Sequence, residues 1–570
     1  MSAPRLSEFI KAYDVRGLVP QQLNDAVAFA IGSAFARVVA VPDGATSIVV
    51  GHDMRESSPA LSRSFAAGAA AHGLDVTLIG LCSTDGLYYA SGALDFPGAM
   101  FTASHNPARY NGIKLCRSAA RPVGQDTGLS QIRDLAQSLL DSDTAPGAGA
   151  GAGAAGAGGV DAPRGHITER DVLADYAQFL RGLVDLRELR PLTVVVDAGN
   201  GMGGHTVPAV LGTQAGLPAL PLTVIPLYFE LDGTFPNHEA NPLNPENLRD
   251  LQAAVIARGA DLGLAFDGDA DRCFVVDERG EPVSPSAITA LVGTREVAKE
   301  RAAGREATIV YNVISSAAVP ELIVEAGATA VRTRVGHSFI KGEMARVQAV
   351  FGGEHSAHYY FRDFWFADTG MLAAMHVLAA LGEQSRPLSE LVAEFSRYVA
   401  SGEINSTVAD ARAATAEARA WAQAWGQEAG QNVEFDELDG MTVTCKGDPM
   451  WWFNLRASNT EPLLRLNVEA ADVPTMQRVR DEVLSIVQGE KMTEETQPAS
   501  AAAPIDAPAP RIEPWLREIL RCPQCRSILS DGSGPGGPEL HCTNTACRRA
   551  YRIDDGIPVL LVDESRFLAN

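Results

Sequence analysis

Residues 47–58 read SIVVGHDMRESS, an apolar, β-branched run that breaks into a polar turn. Two later stretches have the same form: TVVVDAGNGMGG at 193–204 and TIVYNVISSAAV at 308–319. The first and third continue alike, through a helix-like stretch and a glycine into a second strand, HGLDVTLIG from His72 and AGATAVRTRV from Ala326. Continuous apolar strands alternating with helical stretches indicate α/β units with buried sheets. Three such units, followed by a segment of different texture from about residue 391, predict a repeated α/β core with a smaller domain after it.

The whole chain fits that reading. At roughly 100–200 residues per domain, 570 residues make three to five domains. Lys and Arg total 47 against 70 Asp and Glu, a net charge of −23. A surface that acidic disfavours direct nucleic-acid or anionic-membrane partners. No apolar run reaches the ~18 residues of a membrane span, and MSAPRLSEFIKAYD lacks the apolar core of a secretory leader. Two stretches break the composition. PGAGAGAGAAGAGG at 146–159 can bury no large side chain, and the Pro/Ala-rich 493–511 reads as a linker to a tail. Cys82, Cys116, Cys273 and Cys445 are scattered, whereas Cys522, Cys525, Cys542 and Cys547 crowd the tail. That distribution fits reduced cytoplasmic thiols plus one local metal site.

Five constellations carry chemistry. Thr102-Ala103-Ser104-His105-Asn106-Pro107, with Asn111, Gly112 and Lys114 beyond, places a serine on a loop, since Pro107 forbids a helix through it. The same residues also fit an ordinary hydrogen-bonded turn. Asp267-Gly268-Asp269-Ala270-Asp271-Arg272 lies between the apolar runs LGLAF and CFVV. Carboxylates at i, i+2 and i+4 of extended chain point one way, and a hard divalent cation would relieve their repulsion. An EF-hand does not fit, because Arg272 stands where its glycine belongs; an acidic turn without metal stays open. RVGHSFIKG brings His337 and Lys341, which also fit satisfied polar residues, and Gly352-Gly353-Glu354-His355-Ser356-Ala357-His358 suits either hydrogen bonding to vicinal sugar hydroxyls or an ordinary turn. Arg456-Ala457-Ser458-Asn459-Thr460-Glu461-Pro462, then Arg465, offers the donors of a phosphate cradle, to which Arg16 and Arg55 are candidate additions. Serine, metal loop, and phosphate and hydroxyl readers together, with no hydrolytic triad, point to phosphoryl transfer.

TASHNP with NGIK, DGDADR, GEHSAH and RASNTEP, in that order over about residues 5–488, resemble the α-D-phosphohexomutase superfamily, most of all its phosphomannomutase/phosphoglucomutase branch. The resemblance implies three similar α/β domains plus a smaller α+β fourth domain, divided 1–145, 160–281, 282–390 and 391–488, with 146–159 an insertion and 489–511 a linker. It implies an intramolecular phosphotransferase that interconverts mannose 6-phosphate and mannose 1-phosphate, glucose and glucosamine phosphates being the alternatives. Ser104 would carry the phosphoryl group, and Ser104, Asp267, Asp269 and Asp271 would hold Mg²⁺. Arg16, Lys114, Arg272 and His337 would stabilise charge or shuttle protons, and a hexose 1,6-bisphosphate would be activator and intermediate. Tyr13, Lys341, Glu354, Ser356, His358, Arg456, Ser458, Asn459, Thr460 and Arg465 would bind the substrate, with the last domain expected to hinge.

In the tail, 512–570, Cys522-x₂-Cys525 and Cys542-x₄-Cys547 are two close thiol pairs, which suit a tetrahedral Zn²⁺; four buried free thiols are the alternative. CPQC, ELHC and AYRIDDGIPVLL resemble a small zinc-ribbon family that includes activating subunits of methyltransferases. That resemblance implies a methyltransferase or other protein partner for the tail.

Overall fold

The computed structural model describes residues 4–11, 13–142, 164–457 and 463–489 of the body, and 520–534, 537–554, 557–560, 562 and 565–568 of the tail. The Gly/Ala insertion and the linker from residue 490 lie outside the described residues. Body and tail are two compact units, Met1–Met492 and Thr493–Asn570.

All three runs at 47, 193 and 308 are central strands of separate sheets. Ser47–His52 lies between Asp75–Leu81 and Gly98–Phe101, parallel to both, and Gly98–Phe101 pairs antiparallel with Tyr110–Arg117. Leu192–Asp197 lies likewise between Leu222–Leu227 and Leu262–Phe266, with Cys273–Asp277 antiparallel beyond. Thr308–Asn312 lies between Thr329–Thr333 and Phe351–Gly353, followed by antiparallel Tyr359–Phe361. The three sheets thus share one strand order, and each has a hairpin at the same topological position. Those hairpins carry Ser104, Asp267–Arg272 and Glu354–His358. The first sheet is extended by Val15–Leu18 on one side and by Ile167–Glu169 on the other. Ile167–Glu169 lies beyond residue 145, so the chain returns to the first sheet before entering the second.

The fourth sheet is wholly antiparallel, in the order Val399–Thr407, Leu463–Ala470, Trp451–Ala457, Met441–Cys445 and Val433–Asp436. Helices Ala411–Ala429 and Val473–Gln488 supply Ala418, Ala422, Val479 and Val483 to its core, giving an α+β unit.

Packing does not follow a count of four. The second and third sheets share one hydrophobic core, which contains Val195, Leu264, Phe274, Leu291, Ile309 and Phe351. Helix Gly370–Gly382 (GMLAAMHVLAALG) is buried at every position within it, as a helix apolar all round must be. The first and fourth sheets have cores of their own. Trp365 ties the first sheet to the shared core: its indole stacks on Phe179 at 5.1 Å and packs against Gly92, where an added Cβ would lie 2.2 Å from the ring. Among the described residues, no helix is long and apolar enough to cross a membrane.

The tail is a small sheet of Leu529–Gly534, Gly537–Cys542, Arg549–Asp554 and Ile557–Pro558, with Arg566–Phe567 paired to Arg549–Asp554. Its core is Cys522, Leu529, Leu540, Cys542 and Tyr551.

Candidate active site

The serine loop is built from buried backbone. Ser104 is 4% exposed and takes φ +50°, a conformation residues with a Cβ seldom adopt. Its N–H donates to Thr102 Oγ1 (2.9 Å), and its carbonyl accepts from Arg55 Nη2 (2.8 Å). Arg55 also donates to the carbonyls of Asn106, Pro107 and Tyr110 and to the Asp53 carboxylate. All five of its N–H donors are spent, so Arg55, grouped by sequence with the cleft cations, clamps the loop and has none left for a phosphate.

The Ser104 hydroxyl donates to Asp267 Oδ2 at 2.9 Å and lies 3.2 Å from His105 Nδ1. Gly268 permits this approach, because a Cβ there would lie 2.4 Å from the Ser104 carbonyl oxygen. The metal loop converges for a reason other than strand alternation. Residues 267–270 form a turn, closed by Ala270 N–H on the Asp267 carbonyl (3.0 Å), with Ala270 at φ +60°. One oxygen from each of Asp267, Asp269 and Asp271 falls within 4.8 Å of the others, and all three residues are buried.

Cations answer part of this charge. Lys114 Nζ donates to Asp269 Oδ2 (2.7 Å) and Asp271 Oδ2 (2.5 Å), and Arg272 Nε donates to Asp267 Oδ2 (3.0 Å). Burial pushes Lys114 down, but the two carboxylates outweigh it and hold the ammonium charged well above its usual range. Burial also pushes Asp271 up, and Lys114 with His358 overcomes it, holding that carboxyl down to about 2. Asp267 goes the other way: burial outweighs Arg272 and raises it. Three carboxylates face two cations, and Asp269 Oδ1 and Asp271 Oδ1 are buried with no hydrogen-bond partner. Such orphaned anionic oxygens fit a hard divalent cation.

The third hairpin joins the second directly, through a backbone bridge between Arg272 and His358. His358 Nε2 lies 3.8 Å from Asp271 and 3.9 Å from Asp368, and its Nδ1 lies 3.2 Å from Ser356 Oγ. Glu354 is 2% exposed and already accepts from Gly336 N–H, Asn312 Nδ2 and Tyr360 OH. His337 and Lys341 share a face at the start of helix His337–Val347. Lys341 is buried against Asp368 (2.6 Å) and over the Tyr88 ring (4.1 Å), while the Tyr13 ring meets His337 edge-on at 5.2 Å. Burial, reinforced by Lys341, pushes His337 down to about 4, so its imidazole is neutral at pH 7. Arg16 donates to Asp14 and to Asn106 Oδ1 beside the serine loop.

On the fourth sheet, Arg456 and Arg465 are cross-strand partners. Like charges directly opposite repel, and among the described residues Glu403 pairs with both, at 3.6 and 3.4 Å. Among the described residues, both Nε atoms are buried without a hydrogen-bond partner. Ser458, Asn459 and Thr460 lie outside the described residues.

Sequence reasoning missed Thr84, Asp368 and the clamp role of Arg55. None stands in a recognisable motif, and each acquires its place through a partner distant in sequence. In the tail, the four thiols of Cys522, Cys525, Cys542 and Cys547 lie within 4.8 Å of one another, as one tetrahedral ion would need.

Three hairpins that gather a buried serine, a carboxylate cluster and the Glu354–His358 loop define a phosphohexomutase-type fold and site. Residues 8–141, 174–280, 284–398 and 403–486 match, in order, domains I, II and III and the C-terminal domain of phosphoglucomutase/phosphomannomutase. A Xanthomonas campestris protein named for phosphohexose mutases is 38% identical over 484 residues, 84% of this chain and 99% of its own. An Escherichia coli K12 phosphomannomutase is 37% identical over 471 residues, 82% of this chain and 96% of its own. A crystal structure of a Burkholderia thailandensis family protein superposes with a TM-score of 0.70 at 26% identity, covering 86% of this chain and 99% of that one. The chain belongs to the phosphoglucomutase/phosphomannomutase family and is an enzyme of its phosphotransferase, isomerase class.

Gly268→Ala will push the metal loop off the Ser104 carbonyl and lower kcat by about 100-fold while the protein stays folded, as steady-state kinetics and circular dichroism will show. His337 has a folded pKa of about 4 against about 6.5 unfolded, so the stability it lends is present above pH 6.5 and lost as pH falls towards 4. His337→Gln will therefore lose less thermal stability than wild type between pH 7 and pH 4.5, read as unfolding midpoints.

Proposed function

We propose that this enzyme is a phosphomannomutase that interconverts mannose 6-phosphate and mannose 1-phosphate through a phosphorylated Ser104. The observation that carries the reading is the Ser104 hydroxyl held 2.9 Å from Asp267 in a buried carboxylate cluster, while the neighbouring His105 Nδ1 is taken up by Arg272 Nη2 at 2.6 Å. In the forward half, the Ser104 O–P bond breaks as a P–O bond forms to the free hydroxyl of the hexose phosphate. That hydroxyl's proton passes to a base, and the serine oxygen takes one up to become the free Ser104 hydroxyl. The bisphosphate turns over in the cleft, and its other phosphoryl group returns to Ser104.

Asp267, Asp269 and Asp271, with an oxygen on Ser104, would hold Mg²⁺, which when bound offsets charge on the transferring group. Lys114 stays protonated between Asp269 and Asp271 and serves as a fixed cation. Of the candidates named by sequence, His337 is the neutral acceptor, and His358 beside Asp271 is a second imidazole in the same cleft. Arg272 orients Asp267 and, through His105 Nδ1 (2.6 Å), the serine loop. Glu354 and Ser356 would face the sugar hydroxyls, with Tyr13 and Lys341 beside them. Arg456 and Arg465, with Ser458, Asn459 and Thr460, would hold the phosphate that is not reacting, displacing Glu403. Buried cysteines outside any disulfide at Cys82, Cys116, Cys273 and Cys445 suit a reducing, cytoplasmic setting.

The test is conversion of mannose 1-phosphate with a hexose 1,6-bisphosphate activator, beside glucose and glucosamine 1-phosphates under the same conditions. Mannose 1-phosphate is expected to give the highest kcat/KM, with Ser104→Ala and Asp269→Ala reduced by at least about 1,000-fold. Full activity in Ser104→Ala would refute the phosphoserine route, and a glucose or glucosamine preference would move the assignment to that sugar.

A second reading concerns the tail, where the four-thiol cluster supports a structural Zn²⁺ that shapes a module for binding a protein such as a methyltransferase. One zinc per chain is expected by metal analysis, with Cys525→Ser losing it and mutase activity unchanged. A chain without zinc contradicts the site, and an unchanged set of captured proteins on deleting 512–570 contradicts the partner role.

A further inference from the structure

Helix Thr84–Leu94 belongs to the first sheet's layer, yet its first residues are spent on other parts of the body. The Thr84 hydroxyl donates to Asp269 Oδ2 at 2.5 Å, and the Thr84 N–H donates to the Asp269 carbonyl at 3.0 Å. Its neighbour Asp85 accepts from Tyr176 OH and Thr369 Oγ1, both at 2.7 Å, and from Ser83 Oγ. Tyr176 lies on helix Leu173–Leu183, and Thr369 caps the buried helix Gly370–Gly382. Thr84, Asp85, Tyr176 and Thr369 are all at most 1% exposed.

We propose that Thr84 is a positioning residue that selects which oxygen of Asp269 faces a bound cation. This rests on the Mg²⁺ reading of the aspartate loop. Asp269 Oδ2 is held from two sides, by the Thr84 hydroxyl and by Lys114 Nζ, while Oδ1 is buried without a hydrogen-bond partner. A carboxylate held only by Lys114 can rotate about its Cβ–Cγ bond and carry the flexible ammonium with it. The short, β-branched Thr84, fixed at backbone and side chain alike, cannot follow. The Asp85 contacts hold the start of the helix in place, so the metal ligand of one sheet is set by a residue of another. Second-layer partners of this kind orient ligands and raise affinity.

The test is Mn²⁺ binding to the full chain, titrated by electron paramagnetic resonance, together with kinetics. Thr84→Val keeps the shape and the N–H but removes the hydroxyl. It is expected to weaken Mn²⁺ by about 10- to 100-fold and to lower kcat with KM for the hexose phosphate little changed, whereas Thr84→Ser restores affinity to within about threefold of wild type. A role in packing alone predicts the reverse order, since the valine variant retains the methyl group that serine lacks. If the valine variant does not fold, Thr84→Ala makes the same comparison against Thr84→Ser. Wild-type Mn²⁺ affinity in a folded variant without the hydroxyl overturns the proposal. Asp269→Asn runs in parallel: wild-type affinity there overturns the metal reading itself, while loss there with wild-type binding in Thr84→Val overturns only the role of Thr84.

Discussion

Three carboxylates packed within 4.8 Å of one another, away from water, are the constraint on which the rest of this protein turns. Burying one unpaired carboxylate costs several kcal/mol, and neighbours of like charge raise the cost. Lys114 and Arg272 offset part of it; Arg272 ends the aspartate loop itself, whereas Lys114 comes from another sheet. Lys114 lies on Tyr110–Arg117 of the first sheet, so the charge balance holds only while the first and second sheets keep their relation. Gly268, which lets two backbones touch, and Arg55, which clamps the serine loop from behind, serve the same juxtaposition. Placing a phosphoryl group on Ser104 would add further negative charge at this point. That is the physical case for a divalent cation rather than a third side chain.

The hydrophobic cores divide the body unevenly. The second and third sheets share a core, and Trp365 and the Asp85 node tie the first sheet to it by aromatic packing and buried hydrogen bonds. Polar contacts join the fourth domain to the third, among them Val335 N–H on Asp439, Arg332 beside Asp436, and Ala317 N–H on Glu469. Polar contacts exchange for water at little net cost, whereas separating an apolar core exposes its full area. A reaction whose intermediate must turn over needs one wall of the cleft to release and recapture a phosphate. Under the proposed mutase route that wall would be the fourth domain, with its facing arginines.

Much of this was legible in the chain. The runs at 47, 193 and 308 announced three buried central strands because fully buried strands cannot alternate. The serine, aspartate, hydroxyl and phosphate motifs announced themselves because their residue types are crowded into a few positions each. The reading faltered where contacts are made at long range. Arg55 looked like a cleft cation since nothing local shows that five acceptors surround it. Thr84 and Asp368 carry no signal at all, being a common residue beside a helix start and an acid in an unremarkable strand. The convergence of Asp267, Asp269 and Asp271 was expected for the wrong local reason, a strand where the chain makes a turn.

What the chain determined by itself is composition and order: where strands must be buried, which loops hold reactive side chains, and that the tail has four thiols at ligand spacing. Those are local properties, set by side-chain chemistry over a few residues. Only the tertiary structure decided that the three motif loops occupy the same hairpin of three like sheets, which of the cations reach the carboxylates, and which oxygens are left unpaired. Those outcomes depend on residues up to 185 positions apart, such as Thr84 and Asp269, meeting at hydrogen-bond distance. Electrostatic balance in a buried site is a sum over such neighbours, and no stretch of sequence contains them together.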